Sequence, residues 1–129
     1  MGWVWVAESV ILAIHDEQLA EHGGASGLAS RSLFESAIHR PIHKEAFSDL
    51  GVCQLAAAYA FGIIKDHPFY DGNKRTALVV AETFLALNGC ELTASDQDCY
   101  RVMMEVASGQ LSEEQLSDWF KNHSTQIAV

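Results

Sequence analysis

Two neighbouring segments of this chain are apolar on nearly every side, and they restrict the possible folds more than any other feature. Val52 to Ile64 is interrupted by Gln54, and the polar exceptions in Ala77 to Leu87 are mainly Glu82 and Thr83. A surface helix keeps a polar face, whereas a helix that is apolar all round is surrounded by neighbours. We therefore expect two central helices. The first run is also too short to span a bilayer, which needs about 20 residues.

The remaining hydrophobic periodicity and the capping signals predict about four further helices. No segment alternates in the way that is typical of strands, so the predicted fold class is all-α, with two central helices joined by a polar loop. The tail after Asn122 is expected to be loose. The predicted helices are Val6 to His22, Ser32 to about His39 (stopped by Pro41), Leu50 to Lys65, Asn73 or Lys74 to Leu87, Ser95 to about Ser108, and one starting at Ser112.

Length and charge limit the domain organisation and the partners. With 129 residues, 49% of them hydrophobic, the chain should form a single domain over residues 1–129. The formal net charge of -9 argues against a nucleic-acid-binding face, which depends on clustered Lys and Arg. We expect no direct contact with nucleic acid.

The cysteines and the N-terminus indicate where the protein resides. Cys53, Cys90 and Cys99 form no C-x-x-C pair, and reduced core thiols of a cytosolic protein explain them best. Met1 to Val6 contains neither a basic region nor a small-residue cleavage site, so it does not resemble a signal peptide. We expect a soluble, cytoplasmic protein without a membrane segment.

The polar stretch from His67 to Thr76 separates the two apolar segments and holds an unusual local charge. Three of the eight cations of the chain, Lys65, Lys74 and Arg75, lie in or beside this stretch. A positive spot is more informative in an acidic protein than in a basic one. The position of the stretch, just before a predicted helix, indicates an anion-binding loop.

The residue types in this loop suit phosphate chemistry. Gly72 and Asn73 let the backbone approach an anion at the helix N-terminus, where unpaired N–H groups and the helix dipole favour negative charge. Lys74 and Arg75 add cations, and a guanidinium can hold two phosphate oxygens. Asp71 is a candidate Mg²⁺ ligand. His67 could accept a proton from an attacking hydroxyl. The residues thus fit phosphoryl or nucleotidyl transfer.

Plain structural roles compete with each of these assignments. His67 could be an ordinary loop residue, Asp71 could cap the following helix, and Lys74 and Arg75 could be a solvated first turn. Cations are disfavoured at a helix N-terminus, however, and this mismatch favours an anion nearby. Phe69 is expected to anchor the loop in the core.

Other histidine-containing patterns give weaker hypotheses. His15-Asp16 lacks the upstream histidine of a metal phosphohydrolase, so we expect a packed or partly exposed helix residue at His15. His39 and His43 have the spacing of metal ligands, but Pro41 lies between them and argues against a shared helical face. Zinc binding there is therefore not expected.

The loop sequence closely matches a known signature. The run from His67 to Arg75 resembles the Fic/Doc motif H-P-F-x-[DE]-G-N-[GK]-R, and Lys74 followed by Thr76 is similar to the Doc, or death-on-curing, branch. The resemblance extends over about residues 6 to 121. It implies the Fic fold, in which the motif loop joins two central helices.

The resemblance also implies an activity and a set of roles. Fic enzymes transfer AMP from ATP to a protein hydroxyl. In the Doc branch, Lys74 and Leu78 stand where Fic enzymes have Gly and a second Arg, and the nucleotide is thought to bind reversed, so that the enzyme is a protein kinase. By this likeness His67 would be the general base, Asp71 would hold Mg²⁺, and the phosphates of ATP would be bound by Gly72, Asn73, Lys74 and Arg75. The stretch from Arg40 to Asp49 would be an irregular flap that docks the target.

The same likeness implies partners. Doc is the toxin of a toxin–antitoxin pair; it phosphorylates a threonine of elongation factor Tu and so stops translation. Its inhibitor is the Phd antitoxin, whose disordered C-terminal segment folds on the toxin. No Glu of this chain is followed by Gly or Asn, so the inhibitory [ST]-x-x-x-E-[GN] helix of many Fic proteins is absent from the sequence. AMP transfer and a catalytically silent antitoxin-binding module remain as alternatives.

Overall fold

Two buried helices, α3 (Val52–Asp66) and α4 (Asn73–Leu87), form the centre of the computed structural model, which describes residues 2–127. Both helices have buried residues on most sides, because their sequences offer no continuous polar face to water. The other helices are α1 (Glu8–His22), α2 (Arg31–Phe47), α5 (Asp96–Ala107) and α6 (Glu113–Asn122). The predicted all-α fold with six helices is therefore confirmed over the described residues.

The outer helices divide between the two central ones. Helices α2 and α6 pack mainly on α3, whereas α1 and α5 pack on α4. One hydrophobic cluster runs through all of them and includes Phe34, Tyr59, Phe84 and Phe120. This arrangement leaves the loop between α3 and α4 at one end of the core. The predicted domain also includes Met1, Ala128 and Val129, which lie outside the described residues.

Helix α2 is longer than predicted at both ends. Ser30, and not Ser32, is the N-cap, and its side chain accepts a hydrogen bond from the Leu33 N–H. The helix then continues through Pro41 to Phe47, so the prediction that Pro41 stops it is wrong. The irregular flap predicted for Arg40 to Asp49 is consequently helical as far as Phe47.

Tertiary contacts explain why α2 continues through Pro41. Pro41 is buried, and Arg40 and Lys44, one turn apart, both donate hydrogen bonds to Glu113 at the start of α6. These contacts offset the hydrogen bond that proline removes from a helix. As a result His39 and His43 do share a helical face, with ring centroids 6.2 Å apart, contrary to the prediction.

The tail after Asn122 is also more ordered than predicted. Ser124–Gln126 forms strand β2, which pairs antiparallel with β1 (Cys90–Leu92). Both strands have only three residues, so no alternation of apolar and polar residues could reveal them. Within residues 2–127, none of the helices has the length and apolar character needed to cross a membrane.

Candidate functional site

The motif loop, defined here as residues 67–72, begins in an unusual backbone conformation. His67 caps the C-terminus of α3 with φ 52° and ψ 55°, in the left-handed region, and its N–H donates to the Ile63 carbonyl. It is the one non-glycine residue with positive φ among residues 2–127. Histidine tolerates this region better than most side chains, and such conformations often occur at functional sites. The imidazole is exposed, so an external hydroxyl can reach it.

The segment between α1 and α2 holds the motif loop from one side. The Pro68 carbonyl accepts hydrogen bonds from the Ala29 and Ser30 N–H groups, at 2.7 and 3.3 Å. Leu28 and Phe69 form an isolated antiparallel bridge. These backbone contacts hold the loop beside the N-terminus of α2.

Phe69 and Asn73 fasten the loop internally. Phe69 is 1% exposed and contacts Phe34 edge to face, so it is the core anchor that the sequence predicted. The Asn73 side chain accepts from the Phe69 N–H and donates to the Phe69 carbonyl, at 3.1 and 2.9 Å. Because both ends of its amide are used in this way, the side chain of Asn73 shapes the loop, and its unpaired backbone N–H is left to meet an anion.

His15 of α1 packs against the same loop and is hydrogen-bonded to it. Its ring lies parallel to that of Phe69, with centroids 3.7 Å apart and an interplanar angle of 10°. Its Nε2 lies 2.9 Å from the Asp71 carbonyl oxygen, so Nε2–H is the donor. The predicted packed residue at this position is thus 2% exposed and bonded directly to the motif.

The start of α4 leaves several donors unpaired. Gly72 is the N-cap with φ 79°, and no side chain caps the helix. The first intrahelical hydrogen bond runs from the Thr76 N–H to the Gly72 carbonyl. The N–H groups of Asn73, Lys74 and Arg75 precede it, and such groups together with the helix dipole bind anions.

Asp71 does not cap α4, which removes one competing explanation for this residue. Its Oδ2 accepts a hydrogen bond of 2.6 Å from the Ala25 N–H. The side chain is exposed, and its second oxygen is not used by that bond. Asp71 therefore has the freedom that a Mg²⁺ ligand needs.

A cavity of about 310 Å³ lies over the N-terminus of α4. Five of the predicted site residues meet in its wall, Asp71 to Arg75, and His67 does not line it. Lys74 makes no ion pair within residues 2–127. The residues that the sequence did not reveal come from α1, the following turn and α5: Gln18, His22, Gly23, Gly24 and Tyr100.

Arg75 is held between two of these residues. Its guanidinium carbon lies 4.3 Å from the centre of the Tyr100 ring, close enough for a cation–π interaction. Its Nη1 lies 3.5 Å from Nε2 of His22. The contacts orient Arg75 along the wall of the cavity while leaving other N–H donors available.

A second cavity of about 370 Å³ continues the first along α4. The two share Gln18, His22, Arg75 and Tyr100, and the second also contains Leu78. Its wall is rich in carboxylates. Burial and the neighbouring Asp96 raise the pKa of Glu82, one of these carboxylates. The two cavities thus form a trough that is cationic at the motif and acidic farther along; its acidic residues are Glu21, Glu82 and Asp96.

Similarity to known proteins agrees with this arrangement. The model of the Fic/DOC family matches residues 5–85, which is more than half of the chain. The chain therefore belongs to the Fic/DOC family.

Two curated relatives refine the family assignment. The chain is 27% identical over 114 residues to Protein kinase doc of Escherichia phage P1, and the match covers 88% of this chain and 90% of that protein. It is 37% identical over 93 residues to Toxin Doc of Mycolicibacterium smegmatis, covering 67% of this chain and 69% of that protein. The predicted likeness to the Doc branch is confirmed, because both relatives bear that name, and the likeness supports a toxin of the Doc type.

Proposed function

We propose that this protein is the toxin of a toxin–antitoxin pair and a protein kinase that transfers the γ-phosphate of ATP to a protein hydroxyl. The observation that carries the proposal is the trough along α4. Its cationic end, with Lys74 and the uncapped N–H groups, fits phosphates, and its acidic end fits the hydroxyl and amino groups of a nucleoside. Glu82 lies nine residues beyond Asn73 on α4, which corresponds to about 13 Å along the helix.

The orientation of the nucleotide follows from this charge gradient. Phosphates placed around Leu78 would face Glu21, Glu82 and Asp96, and repulsion between like charges disfavours that placement. A nucleoside at the Leu78 end directs the phosphate chain toward the motif loop, with the terminal phosphate nearest His67. This direction favours phosphate transfer over AMP transfer.

The roles of the loop residues follow in this pose. His67 accepts the proton of the attacking hydroxyl, and the exposure of its ring supports this role. The N–H groups of residues 73–75 and the Lys74 ammonium bind the phosphate oxygens, and Arg75 adds a guanidinium oriented by Tyr100. Mg²⁺ is usually held by one or two carboxylates together with substrate phosphates, and the single carboxylate of Asp71 fits such a site. The metal would neutralise phosphate charge.

The likeness to Doc proteins supplies the proposed partners. We infer that the target is a threonine of elongation factor Tu and that a Phd-like antitoxin neutralises the protein with a segment that folds on binding. The protein would then act in the cytoplasm, where translation takes place.

A label-transfer experiment tests the reaction. The protein is incubated with elongation factor Tu, Mg²⁺ and ATP labelled at either the α- or the γ-phosphate. We expect only the γ label to reach the factor and expect His67→Ala to abolish the transfer. His39→Ala, which alters an exposed histidine of α2, is the matched control and should retain activity. Transfer of the α label would show that the protein is an AMP transferase.

The same variants test the alternative of a silent antitoxin-binding module. If expression of His67→Ala arrests growth as strongly as expression of the parent, catalysis is not the basis of toxicity. If the γ label reaches another protein in a cell extract and elongation factor Tu stays unlabelled, the protein is a kinase but the proposed target is wrong.

Lys74→Gly tests how the nucleotide is oriented. Removing the cation from the motif end weakens the attraction that directs the phosphates there, so we expect γ-phosphate transfer to fall and AMP transfer to appear. Both are measured with the two labelled nucleotides. If γ-phosphate transfer is unchanged, Lys74 does not select the orientation and Leu78 is the next position to vary.

A further inference from the structure

We propose that His15 is a positioning residue for the nucleotide site, which fixes Asp71 and the N-terminus of α4 through one hydrogen bond and one ring contact. The inference rests on the proposed function, because it assigns His15 a part in holding Mg²⁺ and phosphates. His15 is not among the residues that line the cavity, so its effect must pass through the loop residues that it contacts, Phe69 and Asp71.

The hydrogen bond acts at the junction between the metal ligand and the anion site. Nε2–H of His15 donates to the carbonyl oxygen of Asp71 at 2.9 Å, which orients the peptide unit joining Asp71 to Gly72. That peptide determines both the direction of the Asp71 side chain and the entry of the chain into α4. A bond at this carbonyl therefore controls the carboxylate and the unpaired N–H groups together.

Packing of the His15 ring on Phe69 orients Nε2–H toward the Asp71 carbonyl. The His15 ring lies flat on Phe69, with centroids 3.7 Å apart, and Phe69 is itself buried. Gly72 lies beside the same edge of the ring, because a Cβ added there would be in ordinary van der Waals contact, 3.7 Å, with Nε2 and Cδ2 of His15. The ring thus packs against the loop at both Phe69 and Gly72.

A simple packing role would predict a different pattern of mutational effects. If only the flat ring mattered, phenylalanine at position 15 would replace it with little loss. If the donor matters, His15→Phe should disturb residues 71–75 although it fills the same space. His15→Gln provides the complementary change, because its amide can still donate while the ring is lost.

Three measurements on the full chain decide between these roles. Hydrogen exchange of the Phe69 and Thr76 amides, which are hydrogen-bonded to the Asn73 side chain and the Gly72 carbonyl, should become at least tenfold faster in His15→Phe without nucleotide. The KM for Mg·ATP, or the Kd of a non-hydrolysable ATP analogue, should rise about tenfold, which corresponds to a loss of about 1.4 kcal/mol of binding free energy. His15→Gln should recover most of the affinity even where its thermal stability is lower than that of His15→Phe.

The parent protein offers a test that does not depend on the variants folding. With ¹⁵N-labelled histidine, NMR should show His15 carrying its proton on Nε2, with slow exchange of that proton. A proton on Nδ1 alone would overturn the proposal. So would affinity and amide exchange in His15→Phe that match the parent, or losses in the two variants that simply follow thermal stability. If the parent transfers no phosphate, the exchange and tautomer results still decide the role of His15.

Discussion

Gly24, in the segment between α1 and α2, lies close to Asp71 of the motif loop. Its φ of +124° is disfavoured for other residues, and a Cβ placed there would lie 2.9 Å from the Cβ of Asp71. The next residue, Ala25, donates to the Asp71 carboxylate. Glycine at position 24 therefore permits the close approach that positions Asp71.

We predict that Gly24→Ala impairs the site more than the fold. The added methyl group must push Asp71 or Leu19 aside, since real Cβ atoms do not approach to 2.9 Å. We expect Mg·ATP affinity to fall at least tenfold, as measured by titration calorimetry. Gly23→Ala is the matched control: it also has positive φ, 79°, but its Cβ would meet open space. If the two variants bind the nucleotide equally, steric contact with Asp71 is not important.

Membership of the site could be predicted for residues that are adjacent in sequence. It could not be predicted for residues that only folding brings together. Asp71 to Arg75 could be assigned to one site because a helix N-terminus places neighbours around the same space. His15, Gly24 and Tyr100 belong to other elements, and their contribution depends on how α1 and α5 pack against α4. Only the Gly23-Gly24 pair, interpreted as a helix end, gave a local signal.

Helix α2 shows how a contact between elements overrides a local rule. Burial alone raises the pKa of Glu113, but hydrogen bonds from Arg40 and Lys44 outweigh burial and hold the pKa below its ordinary value of 4.5. Glu113 begins α6, and its two partners lie on either side of Pro41, so one carboxylate joins both halves of α2 to a second helix.

We predict that Glu113→Gln lowers the free energy of unfolding by about 1–2 kcal/mol near pH 7, because it weakens two charged hydrogen bonds that are partly screened by water. A carboxylate with a lowered folded-state pKa stabilises the protein fully above about pH 4.5, and this stabilisation is lost as the pH falls through the folded-state pKa. Urea unfolding at several pH values should therefore show the variant and the parent converging in acid. Glu114→Gln, an exposed neighbour, should show no such dependence.

The helices, too, could be predicted where the signal is local and could not be predicted where it depends on distant contacts. The predicted starts of α4, α5 and α6 agree with the structure to within a residue, because a turn or a serine cap marks each of them. For α2 the predicted start, Ser32, lies two residues after the observed N-cap, Ser30. Either serine can act as a cap, so the sequence alone did not distinguish them. The path through Pro41 could not be predicted, because it depends on Glu113, which is 72 residues farther along the chain.

At the scale of the whole molecule, α4 joins the site to the place where distant segments of the chain meet. At its C-terminal end Asn88 bonds both backbone groups of Val4 and the carbonyl of Phe84, and Gly89 accepts from the Ile127 N–H. The motif lies at the other end, about 22 Å away along the helix. The contacts that hold distant segments together and the proposed nucleotide site thus lie at opposite ends of α4.

We predict that Asn88→Ala affects stability alone. Loss of three hydrogen bonds should lower the free energy of unfolding by about 1–3 kcal/mol, as measured by chemical denaturation. Nucleotide affinity should stay within about twofold of the parent, because residues 67–75 keep their contacts. Asn122→Ala serves as the control. A loss of affinity comparable to that of Gly24→Ala would mean that the two ends of α4 are coupled.

The local positive charge of Lys74 in a molecule of net charge -9 has a consequence for the kinetics of the proposed nucleotide binding. At long range the acidic surface repels a polyanion, and this repulsion extends about 30 Å at 10 mM salt but only about 8 Å at 150 mM. Stopped-flow measurements should therefore show the association rate constant of the nucleotide rising over this range, opposite to the behaviour of basic phosphate-binding proteins. Salt would speed the encounter because it screens the surface as a whole more than it screens the cavity.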